Sequence, residues 1–427
     1  MNRRSFLQGL AAALAAGSLQ LVRAQQGFKP FPPAPTLGTP LQPIGVRAAS
    51  EAHVVRYISN TLPSRHTGAA FAPIGELDGI ITPNGLHFER DHAGVPTIDP
   101  KDYRLVLHGL VERPLMFTLD DLMRLPSENQ VYFIECAGNG QNGYREPPEP
   151  TLTATRSRGL VSGAEWTGVP LRILLEEAGV KPEGRWLLAE GADAAAWVRS
   201  IPTEKGLRDV LVAYKQNGEA LRPEQGYPVR LVVPGWEGSI QVKWLRRILV
   251  AGEPAMSRGE TSEYTDVRAD GRIDAFTWVM EPQSIITRPS GGQRIEPGFH
   301  QIRGLAWSGF GMVARVEVST DGGASWREAR LTGPVLPYAL TRFVFDWNWG
   351  GEETVLMSRM VDDQGNVQPT RAEFLERWAR NNRYHYNAIQ AWRVGADGRV
   401  QNGDPALAVG AAPPVQAGGC GGEVFDG

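Results

Sequence analysis

Cysteine is scarce in this chain. Only Cys136 and Cys420 occur among 427 residues, too few for the disulfide framework of a small exported domain. They also rule out a covalently attached c-type haem, because Cys-x-x-Cys-His does not occur. Zinc-ligand spacings, a Walker phosphate loop and a Gly-x-Ser-x-Gly elbow are missing too, and there is no internal repeat of the kind a solenoid needs. Neither sign of charge dominates. The 44 Lys and Arg against 47 Asp and Glu leave a net of -3, so nothing points to nucleic acid. Long apolar runs are absent as well. The one from Leu10 to Leu21 is too short to span a bilayer comfortably, and no other candidate follows, so no membrane anchor is expected.

What the chain does contain begins at its N-terminus. Arg3-Arg4-Ser5-Phe6-Leu7 precedes that alanine-rich run, and Val22-Arg23-Ala24 offers a small-residue cleavage site. This order reads as a twin-arginine signal peptide over residues 1–24, which predicts export of a folded protein to the periplasm. Its removal takes away three arginines and no acid, moving the net charge from -3 to -6. Residues 25–50 follow, with prolines at 30, 32, 33, 35, 40 and 43, and predict an extended, semi-rigid arm. The rest, 42% hydrophobic and 21% charged overall, suits a globular protein of two or three domains.

The stretch Tyr132-Phe133-Ile134-Glu135-Cys136-Ala137-Gly138-Asn139-Gly140-Gln141 organises the remainder. Val131 to Ile134 reads as a buried strand. The glycines at 138, 140 and 143 permit left-handed backbone and close approach by a ligand. Three fates fit such a cysteine. It can be a small buried hydrophobe, a disulfide partner of Cys420, or, as a thiolate, a ligand to a metal, with neighbouring backbone amides cradling an anionic cofactor.

Up to Gln283 the elements are mixed. Thr118 before Leu119-Asp120-Asp121-Leu122 predicts a helix start with acids in the first turn. Pro170 at a first helical position leads the apolar face Leu171, Leu174, Leu175 and Ala178, which ends at Gly179. Trp186 to Ala189 and Val229 to Val233 read as strands, with Asp193 in the turn after the first. Arg230 interrupts the second, and a cation there needs a phosphate or a carboxylate as partner. Glu89-Arg90-Asp91-His92 crowd four ionisable groups together, which on their own terms are a solvated loop. From Ile285 the period becomes two. Ala314, Val316 and Val318 alternate with polar residues, Phe343, Phe345, Trp347 and Trp349 share one face, and Val355 to Val361 alternate before a turn at Asp363-Gln364-Gly365-Asn366. Such strands predict a β-sandwich of about 100 residues. The expected class is therefore α+β, with a mixed domain over 51–283, the sandwich over 284–400 and a loose Gly, Ala and Pro-rich tail over 401–427.

Taken together these stretches resemble the sulfite oxidase family of molybdopterin enzymes. Glu135-Cys136-Ala137-Gly138-Asn139 is similar to the family's cysteine loop, and Phe88-Glu89-Arg90-Asp91-His92 to its Phe-x-Arg-Asn-His segment. Gly226-Tyr227-Pro228-Val229-Arg230 through Gln241-Val242-Lys243-Trp244 is close to residue for residue. Val361-Asp362-Asp363 through Asn366-Val367-Gln368-Pro369 resembles the signature of its C-terminal domain. The likeness covers roughly residues 75 to 395. It implies molybdenum ligated by Cys136, and Arg90 facing the substrate. Phe88, Glu89, Asp91, His92 and Asp193 would hold the pterin, and Gln225, Arg230, Gln241, Val242 and Lys243 would bind the pterin and its phosphate. Asp91 replaces the family's amide, and Gln225 its histidine. Tyr264 falls where the family has an active-site tyrosine, whose hydroxyl can donate to an oxo ligand or steady an oxyanion. The sandwich would be an immunoglobulin-like dimerisation domain, with the aromatic face Phe343 to Trp349 serving a homodimer.

The implied chemistry is oxygen-atom transfer at molybdenum to a sulfur nucleophile, the protein binding the cofactor, positioning substrate and tuning electrostatics. One departure bears on the substrate. The family's other sulfite-binding arginine stands five residues after the cysteine, and that residue is Gln141 here. A neutral or larger sulfur group fits this better than compact, dianionic sulfite. Within the family the pattern most resembles the molybdenum subunits of sulfane (sulfite) dehydrogenases of periplasmic thiosulfate oxidation, whose substrate is sulfane sulfur on a carrier protein. Without a haem or flavin motif of its own, the chain would pass electrons to a c-type cytochrome subunit. Arg380 and Arg383 are candidates for a third family arginine, and neither is assigned. The alternatives are an ordinary sulfite dehydrogenase, a methionine-sulfoxide reductase, against which the sandwich argues, and a non-enzymatic exported binding protein.

Overall fold

Capping chemistry sets the element starts in the structure, a computed structural model that describes residues 44–59, 66–146 and 148–403. The signal peptide, most of the proline-rich arm, nearly all of the tail and Cys420 lie outside the described residues. Thr118 starts the helix Leu119–Arg124 through a reciprocal capping box with Asp121. The helix expected at Pro170 begins one residue later. Pro170 ends the strand Val161–Pro170 and caps Leu171–Ala178, whose Leu171, Leu174, Leu175 and Ala178 are all buried. Gly179, at φ 67°, terminates it.

The described residues from His53 onward form one compact unit. Its first part is mixed, with three larger sheets and the two-stranded hairpin of Thr265–Val267 and Ile273–Ala275. Glu128–Glu135 pairs antiparallel with Val161–Pro170, which pairs with Leu211–Gln216, which in turn carries Arg230–Val232 on the end nearer Leu211. A second sheet runs Leu115–Phe117, Leu105–Gly109, Leu245–Ala251, Trp186–Gly191, Val198–Pro202, with one parallel pair at its centre. A small third sheet sets Glu89–Asp91 against Gly68–Phe71. The ionisable cluster at 89–92 is thus mostly strand rather than a solvated loop, and Asp91 is buried.

The C-terminal part consists of two antiparallel sheets. One orders Gln283–Arg288, Gly298–Trp307, Thr341–Trp349 and Arg330–Thr332; the other orders Arg327–Glu328, Val313–Ser319, Thr354–Asp362, Ala391–Val394 and Val400–Asn402. Two expectations change here. Ala314 is exposed, because the register slips between Val313 and Arg315 and Val313 takes the inward place instead. Phe343, Phe345, Trp347 and Trp349 do share one face, and all four are buried within the single chain. They fill the core, so they offer no free surface to a second copy. That core is continuous with the first part, since Phe133, Ile134 and Trp166 belong to the same apolar cluster as Trp307, Phe343 and Trp392.

Candidate active site

Cys136 sits where the strand Glu128–Glu135 runs out, at the seam between the two parts. Its backbone N–H donates to Leu160 O at 3.0 Å, and its carbonyl accepts from Asn139 N at 2.8 Å. The neighbouring Glu135 side chain fixes the strand end from the far side. It is buried and accepts from Asn139 Nδ2 at 2.8 Å, Gln283 Nε2 at 2.8 Å and Trp307 Nε1 at 2.6 Å. Two of these donors come from the C-terminal sheets, which therefore position the cysteine as well as pack beneath it. The loop then turns at Gly140, φ 82°, where a Cβ would lie 2.4 Å from Arg158 Nη1. Only glycine fits there.

Every residue singled out for cofactor or catalysis in the sequence converges on one cavity. Its basic end is Arg230, whose guanidinium donates to the carbonyls of Gln225 at 3.0 Å and Gln241 at 3.1 Å and lies 5.1 Å from the Trp166 ring centroid. Among the described residues no carboxylate pairs with it. Burial lowers its pKa to about 9. Lys243 bonds to Asp91, to Arg90 O at 3.2 Å and to Glu224 O at 2.9 Å. Asp91 thus anchors the lysine, which explains how a carboxylate is tolerated in place of an amide. Burial would raise the Asp91 pKa, but the Lys243 ammonium and its bonds hold it low. Glu89 pairs with Arg56 at 2.8 Å, and burial, then Asp91, push its pKa to about 7.

The other walls are equally fixed. Gln241 accepts from Val233 N at 3.4 Å and donates to Trp236 O at 2.9 Å, so its amide holds the loop while its carbonyl holds Arg230. Gln225 Nε2 donates to Phe88 O at 2.9 Å, and Asp193 accepts from Trp197 N at 3.2 Å. Val242 is a buried apolar wall. The glycine turn does not contribute: no residue of 138–143 lines this inner cavity, so the expected cradle of loop amides is not formed there.

A second, open cleft meets the inner cavity at Arg90, His92, Cys136, Trp197 and Tyr264 and adds Gly138, Gln141, Arg258, Arg383 and Tyr384. Tyr264 follows a π-helical turn, Gly259–Glu263, and is held on three sides. Its ring stacks on Tyr384 at 4.9 Å, Arg199 lies over it at 4.7 Å, and its hydroxyl is 3.3 Å from His92 Nε2. Burial, with the nearby Cys136, keeps that hydroxyl protonated, far above its usual range. His92 stacks on Trp197 at 4.4 Å, and burial together with Arg90 lowers it to about 3. Burial also pushes the Cys136 thiol up, Arg90 opposing. Among the described residues Arg90 itself bonds only to backbone carbonyls, of Asp91 and of Gly68.

Beneath this wall runs a buried ionic chain that no sequence motif announces. Arg199 pairs with Glu237 at 2.8 Å and Glu260 at 3.0 Å. His385 Nε2 lies 3.5 Å from Glu237 and 3.8 Å from Asp266, while its backbone N–H donates to Ala137 O at 2.9 Å. Burial alone would depress His385; Glu237 and Asp266 outweigh it and raise its pKa to about 9. Of the two unassigned arginines, Arg383 lines the cleft and Arg380 pairs outside it with Glu146. His87 and Trp197 line the inner cavity too, and neither carries a motif that marks it in the sequence.

The donor set fits a molybdopterin group. A buried guanidinium without a counter-charge calls for an anion such as a phosphate, and a free thiol at the cavity's mouth supplies a soft metal ligand. The comparisons agree. Residues 92–258 match the oxidoreductase molybdopterin binding domain, and residues 274–392 the Mo-co oxidoreductase dimerisation domain. The chain is 34% identical to sulfite oxidase of Gallus gallus over 346 residues, 72% of this chain and 74% of that protein. It is 34% identical to mitochondrial sulfite oxidase of Mus musculus, over 68% of this chain and 58% of that one. The crystal structure of the sulfane dehydrogenase SoxCD from Paracoccus pantotrophus superposes with a TM-score of 0.84 at 47% identity, covering 87% of this chain and 96% of that one. Fold and site together define a molybdenum oxidoreductase whose cofactor is Mo-molybdopterin. The chain belongs to the sulfite oxidase family.

Proposed function

We propose that this enzyme oxidises sulfane sulfur borne on a carrier protein, in thiosulfate oxidation, and passes the electrons to a c-type cytochrome subunit. The cofactor, when bound, supplies oxygen-atom transfer and storage of two electrons. The chain's own residues do the rest. Arg230 and Lys243 would neutralise the cofactor's anionic end, and Cys136 would ligate the metal. Tyr264, locked in its protonated form, would direct its one hydroxyl proton toward the substrate, with neutral His92 3.3 Å from the hydroxyl to orient it. Arg90 supplies the positive field at the point of attack.

The observation that carries this reading is the wall over Cys136, where an exposed, neutral Gln141 and Gly138 border an open cleft. A carrier-bound group needs entry for a polypeptide arm and little charge; a free dianion needs a cationic pocket. Free sulfite is the second reading, favoured by Arg383, which joins Arg90 on the same cleft. Steady-state rates with loaded carrier and with free sulfite, each with cytochrome c as acceptor, separate the two. A higher kcat/KM for sulfite would reverse the order proposed.

Export by the twin-arginine route to the periplasm fits insertion of the cofactor before transport, and no helix of the described residues is long and apolar enough to cross a membrane. The matched dimerisation domain supports a homodimer through the C-terminal sheets, by a surface other than the buried aromatic stripe. Light scattering should give twice the chain mass at micromolar concentration; a monomer mass throughout would remove the dimer. The boundaries 51–283 and 284–400 are proposed as the two functional domains.

A further inference from the structure

His87 is a buried side chain that the proposed chemistry leaves unused. It lines the inner cavity together with Gln225 and Arg230. Its ring stacks on Phe88 at 5.4 Å and meets Trp166 edge-on at 5.8 Å, and Trp166 also faces Arg230. Nδ1 stands 3.0 Å from Phe88 O. A carbonyl oxygen can only accept, so Nδ1 carries the proton and Nε2 presents a lone pair. Among the described residues no donor reaches Nε2, although the atom is buried. A second proton does not answer the need, since burial, with Arg230, Lys243 and Arg56 adding to it, lowers the imidazole to about 3. Arg230, a strong donor on the same cavity lining, directs its N–H groups at Gln225, Leu231 and Gln241. Gln225 Nε2 donates to the same Phe88 carbonyl, so imidazole and amide converge on one point of the cavity wall.

We propose that His87 is a cofactor-binding residue whose Nε2 accepts a hydrogen bond from a ring or amino N–H of the bound pterin. A phosphate offers acceptors only, so the heterocycle rather than the anionic end meets this side chain. The assignment rests on the Mo-molybdopterin reading of the cavity. Its partner Phe88 O is also Gln225's, which makes the two residues a single recognition edge.

The test uses the full chain purified with its cofactor, as wild type, His87→Phe and His87→Gln. Pterin released on denaturation is quantified by fluorescence and molybdenum by mass spectrometry, per chain, after extended dialysis. Melting of the cofactor-free forms is recorded in parallel. His87→Phe should reduce pterin retention on the order of tenfold, the effect of one lost hydrogen bond that leaves a buried donor unmet. The cofactor-free His87→Phe chain should melt no lower than wild type, because an orphaned buried acceptor has been replaced by an apolar ring. His87→Gln keeps an acceptor and should retain most of the pterin. Wild-type retention in His87→Phe would overturn the proposal, as would an equal fall in the melting of both cofactor-free variants, which marks a merely structural histidine. A wild type that carries no pterin would instead overturn the cofactor reading beneath it.

Discussion

The inner cavity and the outer cleft share a wall yet are built on opposite plans. Inside, almost every side chain is tied at both ends: Gln241 to Trp236 and Val233, Lys243 to Asp91 and Glu224, Gln225 to Phe88 and Arg230. Outside, beyond the shared wall, Ser257, Ser262, Asn381 and Gln141 are interspersed with Phe71 and Tyr384 and with two exposed arginines, Arg258 and Arg383, of which Arg258 is paired with Glu263. A rigid ligand of fixed shape rewards the first plan, because preorganised groups lose little freedom on binding. A substrate carried on a flexible arm tolerates the second. On the proposed reading, cofactor and substrate would be held largely by separate residues, on either side of a wall shared by Arg90, His92, Cys136, Trp197 and Tyr264.

Breaking the shared wall should have the largest effect. Cys136→Ser removes the one soft ligand and should abolish turnover with both sulfite and carrier-bound substrate, while circular dichroism and melting stay close to wild type. Full activity in that variant would contradict the metal assignment.

The inner side is sharpened next by Arg230→Gln. Charge-assisted hydrogen bonds contribute roughly 1.5–3 kcal/mol, so cofactor retention should fall on the order of tenfold to a hundredfold. Removing an unpaired buried cation should leave the cofactor-free chain as stable as before or more so. Molybdenum content per chain and melting of the cofactor-free form read the two parts separately, and undiminished molybdenum would show that Arg230 serves only the fold.

The buried chain behind the wall gives a pH signature. His385 has its folded pKa raised to about 9, above the ordinary value near 6.5. Its contribution is thus fully present below pH 6.5 and lost as pH rises to 9, on the order of 3 kcal/mol for an isolated pair of states. Denaturant midpoints of wild type should decline across that window, and His385→Gln should flatten the decline. An unchanged slope would place the titration elsewhere.

The outer side carries the smallest change. Gln141→Arg adds a planar fork of donors beside the metal and should lower KM for free sulfite on the order of tenfold, the value of one charge-assisted bond. It should also slow turnover of the carrier-bound group, which enters through the same space. A preference left unmoved would free Gln141 of any part in specificity.

Legibility in the sequence follows the same division. Residues of the inner cavity lie in contiguous stretches whose chemistry is local, such as a cation inside an apolar strand at Arg230 or a cysteine opening onto glycines at 136. These converge as expected. What was not legible depends on long-range packing. His385 approaches Ala137 from the far end of the chain, and Trp307 and Gln283 reach Glu135 from the second part. His87 directly precedes the segment Phe88 to His92, but that segment assigns it no role; its orphaned Nε2 does. The stripe Phe343 to Trp349 has the period of a strand whichever surface covers it, so periodicity alone could not tell a dimer face from the core that the structure makes of it. The slip at Ala314 is a bulge, which an alternating pattern conceals.

The central claim is that Cys136 joins the inner cavity to the metal. X-ray absorption at the molybdenum edge, on purified wild type and on Cys136→Ser reconstituted with the same cofactor, tests it most directly. The account predicts molybdenum in both proteins, with one sulfur neighbour fewer in the variant. An identical sulfur count in the two spectra would contradict it.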